Sequence, residues 1–582
     1  MQRGTKCEYP HDRPEIVLRE TQCRCRFGID EVEGVAKGYR PDLGCVSFAT
    51  YYVATNGTTS GNGQSSASPW SFSHAVSNVP PNSVVYVKAG DYGNSTVSLS
   101  TNDVQWIGYK TTPGDIISNN GPTFTKNQSK SATEMPLLSR STITGSLLLI
   151  HGNDIVVENF QFTGSSNPVS IQATTNRVTV RNLIITEIGT QNVYETYDGY
   201  GLNNRGTDNI IENCFIRDCT GQGITSFGLN TTIRYNYVYA TNAGNPMDYY
   251  ILVFGSGTLD VSGSEIYNNY LERDQPLAHG GHGIDLKGEA QNCLVFNNEM
   301  FGTNLELAMP KCRNNTVTDN INRGYGKDSA NWHSWVLIYN GAKDNIIKNQ
   351  LIANNWAAIN LANNSENLHN YSSERNSGGY DNTFENIVIK NVERVFNLNS
   401  SNPTGDPHGD TPDLGPVTAW RYLLKNFTVY NADKIFVGNV VLRDFELDNW
   451  IYSNSTGTAF ETYGSYTYPS NGTAQNINPT YRNCKYYSSP NITFPSGWQS
   501  VSDPLFVNPS GNDADDFKVQ SGSPLIDAGG SNGSTLDFAG NAANGTRDVG
   551  AWEFNGLNTT PINSSLLKKK QKDQVHSFWF AN

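Results

Sequence analysis

The residues best suited to chemistry are Asp285 and Lys287 in Gly283-Ile284-Asp285-Leu286-Lys287-Gly288, and Glu306 in Leu305-Glu306-Leu307-Ala308. Side chains alternate along an extended strand, so the aliphatic residues of both phrases share one face and the charged residues the other. Three readings are open. A lysine with a lowered pKa can take the proton α to a carboxylate while a cation or metal neutralises that carboxylate, which is what β-elimination of a uronate polymer requires. Two carboxyls about 5–5.5 Å apart can instead act as nucleophile and acid/base of a retaining glycosidase. Asp285 and Glu306 are 21 residues apart, and if that is one turn of a stack, adjacent strands hold them about 4.8 Å apart. The third reading is a solvated charge cluster on an exposed sheet, as in a non-catalytic polysaccharide-binding or structural protein; such pairs contribute little.

Stacked turns are what could position these groups, and the chain carries a repeat that implies them. An asparagine returns in Val157-Glu158-Asn159-Phe160, Val180-Arg181-Asn182-Leu183, Ile211-Glu212-Asn213-Cys214 and Arg234-Tyr235-Asn236-Tyr237, then at Asn269, Asn298, Asn320, Asn349, Asn386 and Asn426. The shortest intervals are 22 or 23 residues, a period that marks a solenoid. Short β-branched runs separated by Gly, Asn, Asp and Thr mean strands and turns rather than helices. Asparagine at a turn can bond the backbone and its equivalent on the next repeat. This pattern, over roughly residues 140–450, resembles the asparagine ladder of right-handed parallel β-helices, the fold of the pectate-lyase-like superfamily. An all-β solenoid with an N-terminal cap and a C-terminal closing segment is therefore expected.

Aligning the repeats on these asparagines places two columns on the outer face. One holds Asn203, Thr225, Asp285 and Glu306; the other holds Arg205, Phe227, Lys287 and Tyr339. Insertions at 188–200 and 271–283 would wall them, the second ending in His279-Gly280-Gly281-His282-Gly283. Trp332, His333 and Trp335 precede the next strand, where a ring can stack on a sugar or pack the loop down. Asp198-Gly199-Tyr200 and Met247-Asp248-Tyr249-Tyr250 close insertions on the same flank and are secondary candidates, whereas His151 and His369 read as surface residues. The lysine-bearing phrase resembles the strand that presents a Brønsted base in β-helix polysaccharide lyases. That resemblance implies Lys287 as base, Asp285 and Glu306 as substrate or Ca2+ ligands, and Arg205 or one of His279 and His282 as neutraliser. From their ring chemistry and position, Trp332, Trp335 and Tyr339 are candidate sugar contacts. Two departures stand out: no acidic calcium cluster is evident on a neighbouring turn, and the position one turn after the lysine is Ala308 rather than arginine.

The remaining sequence bounds the setting. A net charge of −13 over 582 residues leaves no basic footprint for nucleic acid, and no apolar run reaches the length of a membrane span. Asn-x-Ser/Thr at Asn56, Asn94, Asn230, Asn314, Asn370, Asn454, Asn471, Asn491 and Asn544 suits a secreted glycoprotein, here expected to be a monomer whose partner is an extracellular polysaccharide. Residues 1–45 read as a divergent leader or mispredicted start, or as a small cysteine-stapled cap. Residues 46–139 read as an opening strand and cap, 140–500 as the β-helix with loop insertions (one at 400–420), 501–555 as the closing segment, and 556–582 as a disordered basic tail. Nine cysteines leave one unpaired; Cys214 with Cys219, and Cys293 with Cys312, are spaced for bridges.

Overall fold

The computed structural model describes residues 23–24 and 46–556, except 117–130, 142–143, 191–197, 242–246, 258–259, 275–280, 328–334, 364–378, 401–417, 439–440, 458, 464–466, 469–471, 474–479, 532 and 534. Each turn of the solenoid contributes three strands, and each strand pairs in parallel with the strand three places on. Val156–Glu158 pairs with Thr179–Arg181, Gln161–Thr163 with Ile184–Ile188, and Val169–Ile171 with Tyr200–Asn204. The series continues turn by turn, so three parallel sheets run along one axis as a parallel β-helix. The twist of the strands makes such parallel crossovers right-handed. Inward residues form one continuous core, among them Val157, Val180, Ile211, Ile233, Ile266, Val295, Val317 and Ile347. Each turn buries its core face against its neighbours, so the length of the core follows the number of turns.

The recurring asparagines occupy one corner but two adjacent columns, not the single line expected. Asn159, Asn182 and Asn213 sit at the left-handed position, φ 63°, 55° and 52°, where asparagine is among the residues that pay least. Asn182 donates to Asn159, and Asn213 Nδ2 to Asn182 Oδ1 at 3.4 Å. Register then pairs Glu212 with Arg234, so Asn213 matches Tyr235 and Asn236 matches Cys214. The ladder thus steps one residue along. Asn236, Asn269, Asn298 and Asn320 form a buried run in which each Nδ2 donates to the next Oδ1 at 2.9–3.0 Å. Gln350 takes the following rung. Asn349, Asn386 and Asn426 return to the first column, with Asn449 after them. A second ladder, Asn315, Asn345 and Asn382, lines another corner with Nδ2–Oδ1 distances of 3.0 Å.

Cysteines stand on these rungs, which corrects both expected bridges. Cys214, Cys219, Cys293 and Cys312 are all free and buried, as is Cys484. Cys214 fills an asparagine position: its N–H donates to Asn236 Oδ1 at 2.9 Å and its thiol to Glu212 O at 3.3 Å. Cys293 does the same at the second corner, with Asn315 Oδ1 at 2.9 Å and Gln291 O at 3.5 Å. Each thiol is committed to its own rung.

At the N-terminal end, Ala49–Thr58 pairs with Ser83–Lys88, and the helix Phe72–Asn78, capped by Ser71, lays Phe72, Ala75 and Val76 on the first core layer. Cys23–Arg24 pairs antiparallel with Val46–Ser47; the rest of 1–45, including Cys7, Cys25 and Cys45, lies outside the described residues, as does the tail beyond 556. The closing segment packs along the side of the second sheet: Phe506, Phe517, Val519, Leu525, Val549 and Trp552 cover Leu351, Val388 and Ile451. Lys390 anchors it by donating to Ser510 O at 2.9 Å and to Gly511 O.

Candidate active site

Three consecutive strands of the third sheet build the site: Tyr249–Gly255, His282–Gly288 and Asn304–Ala308. Register aligns Tyr249 with His282 and Asn304, Leu252 with Asp285 and Glu306, and Phe254 with Lys287 and Ala308. Both sequence-derived columns are therefore real, and Asn203, Thr225 and Leu252 continue the acidic one upstream. A bulge at Gly283 adds one residue between His282 and Ile284. A Cβ there would lie 2.4 Å from Asn304 O, so glycine is obligatory; its N–H donates to Asn304 Oδ1 at 3.1 Å. Such bulges re-aim a side chain, and here the side chain is His282. Its backbone N–H is held by Asp248 O at 2.8 Å.

The polar groups form one network. Lys287 Nζ donates to Asp285 Oδ2 at 2.9 Å and Tyr249 Oη at 3.0 Å, and lies 3.7 Å from Glu306 Oε1. His282 Nδ1 is 2.6 Å from Glu306 Oε2, and its ring stacks on Tyr249 at 4.9 Å and 20°. Asp285 and Glu306 point away from the core, as expected, but they are not solvated. Their side chains are 0% and 1% exposed, whereas Lys287 and His282 are 12% and 22% exposed. An ammonium, an imidazole and a phenol therefore overlie two carboxyls. Asp285 Oδ1 is buried with no hydrogen-bond partner among the described residues.

Protonation follows from this layering. Burial, and after it the Glu306 charge, pushes the Asp285 carboxyl up to about 7, against the pull of Lys287 and His282. Lys287 is affected first by burial, which works against its charge, but Asp285 and Glu306 outweigh it and hold the ammonium well above its ordinary range. For His282, burial is likewise opposed by Glu306, and the net shift is upward. Burial raises Asp248 and keeps the Tyr249 phenol protonated.

The other sequence candidates are placed as follows. Arg205 lies in the Lys287 column but three strands upstream, stacked over Phe227 at 5.5 Å, and does not touch the cluster. Trp335 is 5% exposed and packs with Leu337 and Trp356, so it supports the sheet rather than offering a ring to solvent. Tyr339 covers Ala308 and Met309 beside the Lys287 column. His279 and Trp332, with His333 and His369, lie outside the described residues. Asp198 is tied to its turn by Thr190 N at 2.9 Å and Thr220 Oγ1 at 2.8 Å. Tyr249 was a secondary candidate in the sequence and is central here. Counting back two residues from the aligned Ile251 and Ile284 pairs it with His282, which is the signal that finds it. For Ca2+ the donor set does not fit. The cation needs six to eight oxygen ligands, and the Lys287 ammonium already sits between the two carboxylates; among the described residues no group of three or more His, Cys, Asp or Glu side chains is arranged to hold a metal ion.

No protein-family model and no curated protein sequence matches the chain. Among solved structures, pectate lyase Pel9A aligns at 15% identity over 87% of this chain and 96% of its own, with a TM-score of 0.25. A PL6 alginate lyase in complex with a trisaccharide aligns at 14% over 81% and 94%, with a TM-score of 0.42. XylC in complex with xylose aligns at 9% over 87% and 98%, with a TM-score of 0.39. Identities and TM-scores this low leave the reaction to be inferred from the residues of the site itself.

Proposed function

We propose that the surface over Tyr249, His282 and Lys287 binds an extracellular acidic polysaccharide and cleaves it by β-elimination. The observation that carries this reading is the layering: an ammonium and an imidazole outermost, carboxyls sealed beneath them. An anionic sugar meets an ammonium and an imidazole there, on a chain whose net charge of −13 would otherwise repel it. A retaining glycosidase needs both carboxyls against the sugar, and Asp285 and Glu306 are covered. The raised Asp285 favours that second reading, but a buried acid cannot protonate a leaving group it does not reach.

The roles differ from those first expected of the lysine. An ammonium held by Asp285 and Glu306 is a poor proton acceptor, so Lys287 neutralises the uronate carboxylate and thereby acidifies its α-proton. His282 is the base. Glu306 at Nδ1 orients the ring and stabilises the imidazolium that forms, as carboxylates do for histidine bases. As the C–H bond breaks and its proton passes to His282, the electron pair forms the new double bond and the bond to the 4-linked oxygen breaks. Tyr249, kept protonated by burial, gives its proton to that oxygen, and solvent resets both groups. The sequons support an extracellular setting for the polymer.

Pectate, alginate and glycosaminoglycans should be screened for the ultraviolet-absorbing unsaturated uronate. His282→Ala is expected to abolish product while leaving polymer binding intact, and Lys287→Ala to weaken both. New reducing ends without that absorbance would favour the hydrolase, and retention of polymer with neither product would make the protein a binding module.

A further inference from the structure

Arg205 stands apart from the ion-paired arginines. On this acidic chain, Arg177, Arg181, Arg234, Arg323, Arg421 and Arg482 each face a carboxylate within ion-pair distance. Arg205 is exposed and has no such partner among the described residues. It is nevertheless held in place. Its guanidinium lies over the Phe227 ring at 5.5 Å, and Phe227 packs edge-on against Phe254 at 6.1 Å. Phe254 is the direct strand neighbour of Lys287. One column therefore runs Arg205, Phe227, Phe254, Lys287, one residue per turn, with the two cations three strand spacings apart, about 14 Å.

A guanidinium resting over a ring face keeps its N–H donors available, and these match a planar carboxylate. We propose that Arg205 on Phe227 is a distal subsite that binds the carboxylate of a second acidic sugar on the same polymer strand, which would run along the solenoid axis from Lys287 across the two phenylalanine rings. Only the class of ligand rests on the reading given under Proposed function. The consequence is a length requirement. An oligouronate long enough to reach both cations gains a contact that a dimer lacks, and the half-buried Phe254 ring between them offers an apolar face to the intervening sugars.

The test is the affinity of wild-type protein and of Arg205→Gln for an oligouronate series from dimer to hexamer, measured by titration calorimetry. Wild type should show a rise in affinity at the length that spans the two cations. In Arg205→Gln that rise should fall by roughly tenfold, the order expected for a lost charge-assisted hydrogen bond at an exposed site, with dimer binding unchanged. Phe227→Leu should weaken the same step, and Arg205→Lys should restore part of it. A rise that survives in Arg205→Gln, or an affinity independent of length in wild type, overturns the subsite while short-oligomer binding leaves the reaction reading standing. If wild type binds no acidic oligomer of any length, both fall together.

Discussion

Replacing Glu306 by Gln separates the role given to His282 from mere packing. The amide keeps the shape of a side chain that is 1% exposed and removes one charge lying 2.6 Å from His282 Nδ1 and 3.7 Å from Lys287 Nζ. Lys287 keeps Asp285 at 2.9 Å and stays cationic. His282 loses the main influence holding it up, and burial then drives it below its ordinary value of about 6.5. Two effects follow for a base acting through this ring. The acid limb of kcat/KM moves to lower pH. The plateau falls by about a hundredfold to ten-thousandfold, the range supplied by a positioned base. Stability changes in a defined window. A histidine raised in the folded state stabilises fully below its unfolded value near 6.5, and that contribution is lost as pH rises through the folded value. Glu306→Gln should therefore unfold at lower urea than wild type in acid, with the gap closing as pH rises past the folded value of His282. The cost stays below the roughly 3–5 kcal/mol of an orphaned buried charge, because His282 can shed its proton. A pH–rate profile and urea titrations at several pH values read both effects. An acid limb that stays in place with an unchanged plateau refutes the His282–Glu306 pair as the base.

Asn298 donates to Ile266 O, Phe296 O and Asn320 Oδ1 and accepts from Asn269, so Asn298→Ala should cost about 2–4 kcal/mol by urea unfolding; a cost under about 1 kcal/mol would mean the ladder does not carry the corner. Gly283→Ala puts a Cβ 2.4 Å from Asn304 O and 2.6 Å from Thr303 Oγ1, so it should lose activity at least as steeply as stability, because it displaces His282; wild-type turnover in that variant would remove the bulge from the account. Burial pushes the Cys214, Cys293 and Cys484 thiols up to about 12, so a thiol reagent should leave these three unlabelled in native protein and label them in denaturant. Native labelling, or failure to label after unfolding, would contradict buried free thiols.

Much of the geometry was legible because strand alternation fixes phase. Once the turns are aligned, Asp285 with Glu306 and Arg205 with Lys287 fall into columns without further information. The corner was harder to read. Asn213 and Asn236 are 23 residues apart like Asn159 and Asn182, yet the first pair lies in different columns because the register there advances 22. A ladder asparagine can bond from either position, so spacing alone does not separate them. The second ladder was hidden because its rungs include Thr231, Ser264 and Cys293 alongside asparagine. Exposure could not be read at all. Facing away from the core means solvation only where nothing lies above, and the chains covering Asp285 and Glu306 come from Tyr249 and His282, 36 and 3 residues upstream of Asp285. The cysteine spacings suggested bridges because sequence gives separation but not occupation of a rung.

The most direct test of the central claim is the mass of the products formed in heavy-oxygen water. β-Elimination breaks the glycosidic bond without adding water, so each cut should yield one fragment lighter by a water than a hydrolytic product, and no fragment should take up heavy oxygen at the moment of cleavage. Fragments of full hydrolytic mass, with one heavy oxygen incorporated per cut, would contradict elimination and return the chemistry to Asp285 and Glu306.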